Sequence, residues 1–310
     1  MKNRKKYLFI IICSFLAVIM PVYILTYAYH SIPVSLIENS GEDGIREIIG
    51  VCLKDMARED YYNADDVLSF STFYGDITED SAPDLIIAIK FNNTTTLMPV
   101  YSKIGSRYVY KGELGPFYDV ESVEFRYMDN LSKNAVFINE KTNESLGSFQ
   151  TNNYIQGFAF IDGSLTNIIS IPTDIEAYWN ENFLPEGLNK WDKIAQESAV
   201  NWIEGNCPKI ILEKEQILSS MDGSSKERIN SDENFKAENH RTVIETYVWS
   251  DKWKSFILGE KVYLPSGETV AVLEDLNNQP YVLAGFDTSK SRVLHENGKM
   301  MWVGNKDLKQ

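Results

Sequence analysis

The chain has 310 residues, with 30 lysines and arginines against 44 aspartates and glutamates, three histidines and three cysteines. A net charge of −14 argues against nucleic acid as the main partner, because phosphate binding needs a basic footprint. With 44% hydrophobic and 12% aromatic residues, disorder throughout is excluded as well.

The charge is unevenly placed. Lys2, Arg4, Lys5 and Lys6 fall in a basic tail, residues 1–6, and no acidic residue precedes Glu38, so the remainder carries 26 basic against 44 acidic side chains. Residues 7–29, YLFIIICSFLAVIMPVYILTYAY, hold no charge. About 20 such residues span a bilayer as a helix. The basic flank stays in the cytoplasm, so a single-pass protein of the cell membrane with its C-terminal domain outside is expected, Tyr23, Tyr27 and Tyr29 forming an interfacial belt. The competing reading is a signal peptide cleaved after Ala28, which would make the protein secreted. Either way the domain is extracytoplasmic. A Cys52–Cys207 disulfide is permitted there, although Cys52 also lies on an apolar helix stripe.

Residues 38–221 read as a β-rich ectodomain. It opens on a helix over about 43–57, where Ile45, Ile48, Ile49, Cys52, Leu53 and Met56 repeat at helical spacing behind a Ser40-x-x-Asp43 start. Short β-type runs broken by Gly, Asn and Asp then follow to about residue 175, the pattern of a meandering antiparallel sheet. Leu188, Trp191, Ala195, Ala199 and Trp202 predict a second helix over 187–204. Residues 210–221 fit helix or strand. The polar segment 222–240 reads as an exposed loop or domain linker. It is followed by a C-terminal β-rich module, residues 241–310, in which Tyr281–Phe286 is among the expected strands. The fold class is therefore mainly β (α+β): a transmembrane helix, an antiparallel ectodomain with a few helices, and a small terminal β-module. Hairpins starting at Val100, Glu176 and Glu245 share a tyrosine, a polar turn and returning aromatics, as β-propeller blades do.

The sharpest local signal runs from Gly75 to Ile87, where Asp76, Thr78, Asp80 and Asp84 take the first, third, fifth and ninth positions of a loop leading into an apolar strand. Residues 67–112 around it resemble an FG-GAP/VCBS-type repeat, the blade of integrin-like β-propellers. The resemblance implies degenerate propeller-like hairpins and a Ca²⁺ site on Asp76, Thr78, Asp80 and Asp84, since a hard cation wants several oxygens from one tight loop. A second outcome stays open: a structural turn in which aspartate side chains accept backbone N–H bonds. Ile87 at the twelfth position excludes an EF-hand.

At the other end, Gly259–Leu308 closes on Asn297, Gly298, Lys299, Trp302, Val303 and Leu308. This stretch is similar to the small bacterial Src-homology-3-like domains of envelope proteins, which implies a surface for peptide or wall polymer.

No catalytic signature is present: no Gly-x-Ser-x-Gly, no His-Glu-x-x-His, no phosphate-cradling glycine loop. No catalytic residue is assigned. The chain reads as a non-enzymatic, envelope-associated binding protein whose partners are the membrane and a wall polymer or another protein. The alternatives are a tethered or secreted hydrolase of wall glycan or peptide acting through carboxylates, and a structural subunit of a membrane complex.

Overall fold

A computed structural model describes residues 30–78, 82–91, 94–145, 149–180, 189–223 and 234–309. The expected span, residues 7–29, lies outside them; among the described residues no helix is long and apolar enough to cross a membrane. The fold is mainly β, with antiparallel sheets throughout, and it divides into two compact units, residues 1–116 and 117–310.

The first unit is a five-stranded sheet with a helix on one face. Its strands are β1 (Ser31–Pro33), β2 (Val67–Gly75), β3 (Asp84–Phe91), β4 (Thr96–Ile104) and β5 (Arg107–Phe117), in the spatial order β1-β5-β4-β3-β2. A short helix α1 (Val34–Glu38) precedes α2 (Glu42–Asp55). Helix α2 buries Ile48, Ile49, Cys52 and Leu53 against Leu85, Ile87 and Ile89, alternate residues of β3. The helix begins at Gly41 rather than behind a capping Ser40, whose hydroxyl instead donates to the Ile37 carbonyl. Burial pushes the Cys52 thiol up to about 12, and Cys52 and Cys207 are both free, so no bridge joins them. Beside Cys52, the buried Asp55 carboxylate accepts from Tyr101 Oη at 2.9 Å and contacts His30 Nδ1 at 2.8 Å.

The second unit is built on an eight-stranded meander in sequence order: β6 (Asp119–Met128), β7 (Lys133–Ser145), β8 (Phe149–Ile161), β9 (Ser164–Asn180), β10 (Lys190–Ile203), β11 (Lys209–Asp222), β12 (Lys236–Ser250) and β13 (Ser255–Ile257). Five shorter strands form its C-terminal sheet: β14 (Gly259–Tyr263), β15 (Glu268–Asp275), β16 (Lys290–Leu294), β17 (Met300–Gly304) and β18 (Leu308–Lys309). Among the described residues the three sheets have five, eight and five strands.

Three expectations are corrected here. Residues 190–203 of the expected 187–204 helix are the strand β10, paired along its whole length with β11. The expected strand at Tyr281–Phe286 is a 3-10 turn, Pro280–Ala284, ended by Gly285 in the left-handed region where a side chain would be strained. Residues 222–240 do not separate domains, because β11 and β12 on either side of them are neighbours in one sheet; residues 224–233 lie outside the described set.

The C-terminal sheet is held to the eight-stranded sheet by a buried polar seam. Gln196, Gln216 and Arg241 are successive cross-strand partners on β10, β11 and β12. Gln216 Nε2 donates to Gln196 Oε1 at 2.6 Å and Arg241 Nε to Gln216 Oε1 at 2.6 Å, and this ladder reaches the carbonyls of Asn277, Asn278 and Gln279. Next to it the fully buried Lys214 Nζ lies 2.5 Å from Glu245 Oε2, which also accepts from Tyr247 Oη. Glu274 of β15 faces Arg292 of β16 at 3.5 Å and accepts from Gln279, while Arg292 Nη2 donates to the Ser170 carbonyl of β9.

Candidate functional site

The residues expected to bind a cation are described in part. Asp80 lies outside the described residues, and Asp76 is partly buried at the end of β2. Thr78 and Asp84 are brought together, but to each other. Asp84 is fully buried; its Oδ2 accepts from Ile77 N at 2.8 Å and Thr78 N at 2.9 Å, and its Oδ1 from Thr78 Oγ1 at 3.0 Å. Burial pushes the Asp84 carboxyl above the usual carboxylate range, while those bonds and one from Ser102 pull it back. A carboxylate ringed by its own loop's donors closes a turn. In this arrangement both carboxylate oxygens of Asp84 are engaged by donors of the protein itself. Among the described residues no group of three or more His, Cys, Asp or Glu is placed to hold a metal ion.

A site of another kind is formed where two strands of the meander diverge. β9 and β10 pair only over Ile175–Asn180 and Trp191–Gln196. On the N-terminal side of Ile175 β9 continues along β8, and beyond Gln196 β10 continues along β11. The fork is stitched by side chains in place of ladder bonds. Asp174 Oδ1 accepts from Ser198 N and its Oδ2 from Asn153 Nδ2, each at 3.1 Å. Gln196 Nε2 donates to the Thr173 carbonyl at 2.9 Å, as does the Ser198 hydroxyl.

The divergence leaves a groove of about 1000 Å³ on the sheet. Alternation fixes its lining, since successive side chains of a strand point to opposite faces. Lys141 and Asn143 of β7, Thr151 and Asn153 of β8, Glu176 of β9, Glu197 of β10, and Glu213 and Glu215 of β11 share the groove with Asp174. Ala195 and Ala199 keep part of its floor low. Lys193 offsets one acid, pairing with Glu176 at 3.1 Å. Glu197 and Glu215, however, stand directly opposite each other across β10 and β11. Like charges in that position destabilise a sheet. The arrangement therefore presents a negative, hydrogen-bonding surface to hydroxyl, amide or ammonium groups.

None of these groove residues was singled out from the sequence as a binding residue. Glu213 and Glu215 alternate with Lys214 and Gln216, a pattern that marks opposite faces once residues 210–221 are known to be strand. No family model matches the chain, and comparison with curated proteins finds no match.

Proposed function

We propose that this is a membrane-anchored, extracytoplasmic binding protein, non-enzymatic, that holds a hydroxyl- and amine-bearing polymer of the cell envelope in the groove at the β9–β10 fork. The observation that carries the ligand class is the groove lining: five carboxylates with amide and hydroxyl side chains among them. The outward placement rests on the uncharged run of residues 7–29 behind four basic residues. The likeness of residues 259–308 to Src-homology-3-like envelope modules and of residues 67–112 to FG-GAP repeats supports the same setting.

The test is binding of the full-length protein, in detergent, to purified wall polymer. Glu197→Gln and Glu215→Gln are expected to weaken binding several-fold and to flatten its salt dependence, because they remove exposed charge at the groove. Unchanged binding in both variants would remove the groove from the proposal. Deleting residues 259–310 is the poorer test, since it would uncover the buried Lys214–Glu245 pair.

A second reading, a tethered hydrolase, draws on the same two residues. Direct cross-strand partners have Cα atoms about 4.5–5.5 Å apart, so Glu197 and Glu215 stand side by side as paired catalytic carboxylates do. Release of soluble fragments from the polymer, lost in either variant, would decide for it.

A further inference from the structure

An edge strand leaves backbone donors and acceptors unpaired, and proteins usually guard it with charge, proline or a bulge. The edge strand β6 of the eight-stranded sheet is guarded in this way by Asp119, Glu121, Glu124 and Arg126. β17, an edge of the C-terminal sheet, is only five residues long, with Lys299 just before it and Lys306 just after. β2 is different. It is the outer strand of the first unit's sheet, nine residues, VLSFSTFYG, without a charge or a proline in a chain that is 24% charged. Ser69 and Ser71 are exposed, as are the apolar side chains of Leu68 at 62% and Tyr74 at 49%. Its one guard is an irregularity of register between Val67 and Ser69.

We propose that β2 pairs antiparallel with β2 of a second copy of this chain about a two-fold axis, so that two five-stranded sheets continue as one. Two observations favour a second copy over a foreign strand. With a net charge of −14, two copies repel over most of their surface, and an uncharged edge is where they meet at the lowest electrostatic cost. The edge is also self-complementary. An axis at Ser71 brings Leu68 of each copy to Tyr74 of the other, so the strand's two exposed apolar side chains cover one another while Ser71 meets Ser71. The pairing depends on this edge alone; neither the groove nor the membrane span enters it.

The test is the mass of the full-length protein in detergent, with the detergent contribution subtracted, over a dilution series. The wild type is expected to be dimeric at micromolar concentration and to dissociate on dilution. Ser71→Lys places like charges opposite each other at the axis and Leu68→Lys replaces the apolar contact, so each raises the dissociation constant by about tenfold or more. Ser266→Lys, the same charge change in the turn after β14, leaves the dimer intact. Thermal midpoints close to wild type show that the variants fold, and if Ser71→Lys does not, Leu68→Lys decides, its side chain being already in solvent. A wild type that is monomeric at micromolar concentration overturns the proposal. So does a dimer that a folded β2 lysine variant leaves unchanged.

Discussion

Two seams in this molecule join a layer to a sheet, and they do so with opposite chemistry. In the first unit α2 lies on its sheet chiefly through Ile48, Ile49 and Leu53 against Leu85, Ile87 and Ile89, with one buried polar contact at its end, Asp55 with Tyr101. In the second unit the C-terminal sheet meets the eight-stranded sheet through Lys214, Glu245, Gln216, Arg241, Glu274 and Arg292, beside a small apolar cluster of Trp253, Ile257 and Ala271. An apolar seam loses stability in proportion to what is removed. A buried polar seam fails abruptly, because one missing partner strands another group without water. It also admits one orientation of the two sheets, since the hydrogen bonds of the Gln196–Gln216–Arg241 ladder are directional.

The largest effect should follow from stranding a charge. Glu245→Ala strips the buried Lys214 ammonium of the carboxylate 2.5 Å from it and is expected to cost about 3–5 kcal/mol in urea unfolding. Replacing both, Lys214→Met with Glu245→Leu, should return stability to near or above wild type. A single-variant loss below about 1 kcal/mol, the range of an exposed pair, would show that water reaches this seam. The apolar seam answers differently: Leu53→Ala should cost about 3 kcal/mol, but the volume-conserving Leu53→Met less than about 1.5 kcal/mol. If Leu53→Met were as damaging as Leu53→Ala, the contrast between the seams would collapse.

The same contrast decided what could be read in the chain. Residues 84–91 announce a strand because Leu85–Ile89 is an apolar run bounded by Asp84 and Lys90. Helix α2 is legible because its buried face is written in Ile, Cys and Leu at three- and four-residue spacing. β10 was misread as helix for a physical reason. Its inward face is Asp192, Ile194, Gln196, Ser198, Val200 and Trp202, and the polar members face the seam and the fork where an ordinary core would have apolar ones. The period of two was therefore hidden, while Trp191, Ala195, Ala199 and Trp202 happened to fall at helical spacing. The groove was illegible for a related reason. Glu197, Glu213 and Glu215 look like a solvated face until cross-strand register places Glu197 opposite Glu215. Part of the Asp loop's chemistry was legible, in that carboxylates accepting backbone N–H bonds were one of its two readings, and Asp84 does this.

The first unit is not free of buried charge, and Asp84 tests whether a local loop can carry what the second unit needs a network for. Asp84→Ala removes the acceptor of two backbone N–H groups and the Thr78 hydroxyl, and about 1–3 kcal/mol is expected to be lost. Millimolar Ca²⁺ should leave the thermal midpoint of the wild type unchanged. A rise that disappears in Asp84→Ala would instead make the loop a cation site, and the buried turn a feature of the metal-free protein alone.

The smallest effect separates the seams by pH. Burial raises the Glu274 carboxyl above its ordinary value of 4.5, although Arg292 and Lys214 pull it down. An acid whose pKa is higher in the folded state binds protons more tightly there. Its contribution to stability is therefore greatest below the unfolded value and declines as pH rises through the folded one. Glu274→Gln resembles the protonated side chain and does not titrate. Relative to wild type, the variant should accordingly gain stability as pH rises from the ordinary value of 4.5 through the higher folded one, by about 1.4 kcal/mol for each pKa unit of the shift. Leu53→Met, carrying no new charge, should track the wild-type curve over the same range. If Glu274→Gln instead lost ground as pH rose, the ion pair with Arg292 and the attraction of Lys214 would outweigh burial. The polar seam would then hold its sheets through charge attraction rather than through the directional hydrogen bonds of the Gln196–Gln216–Arg241 ladder.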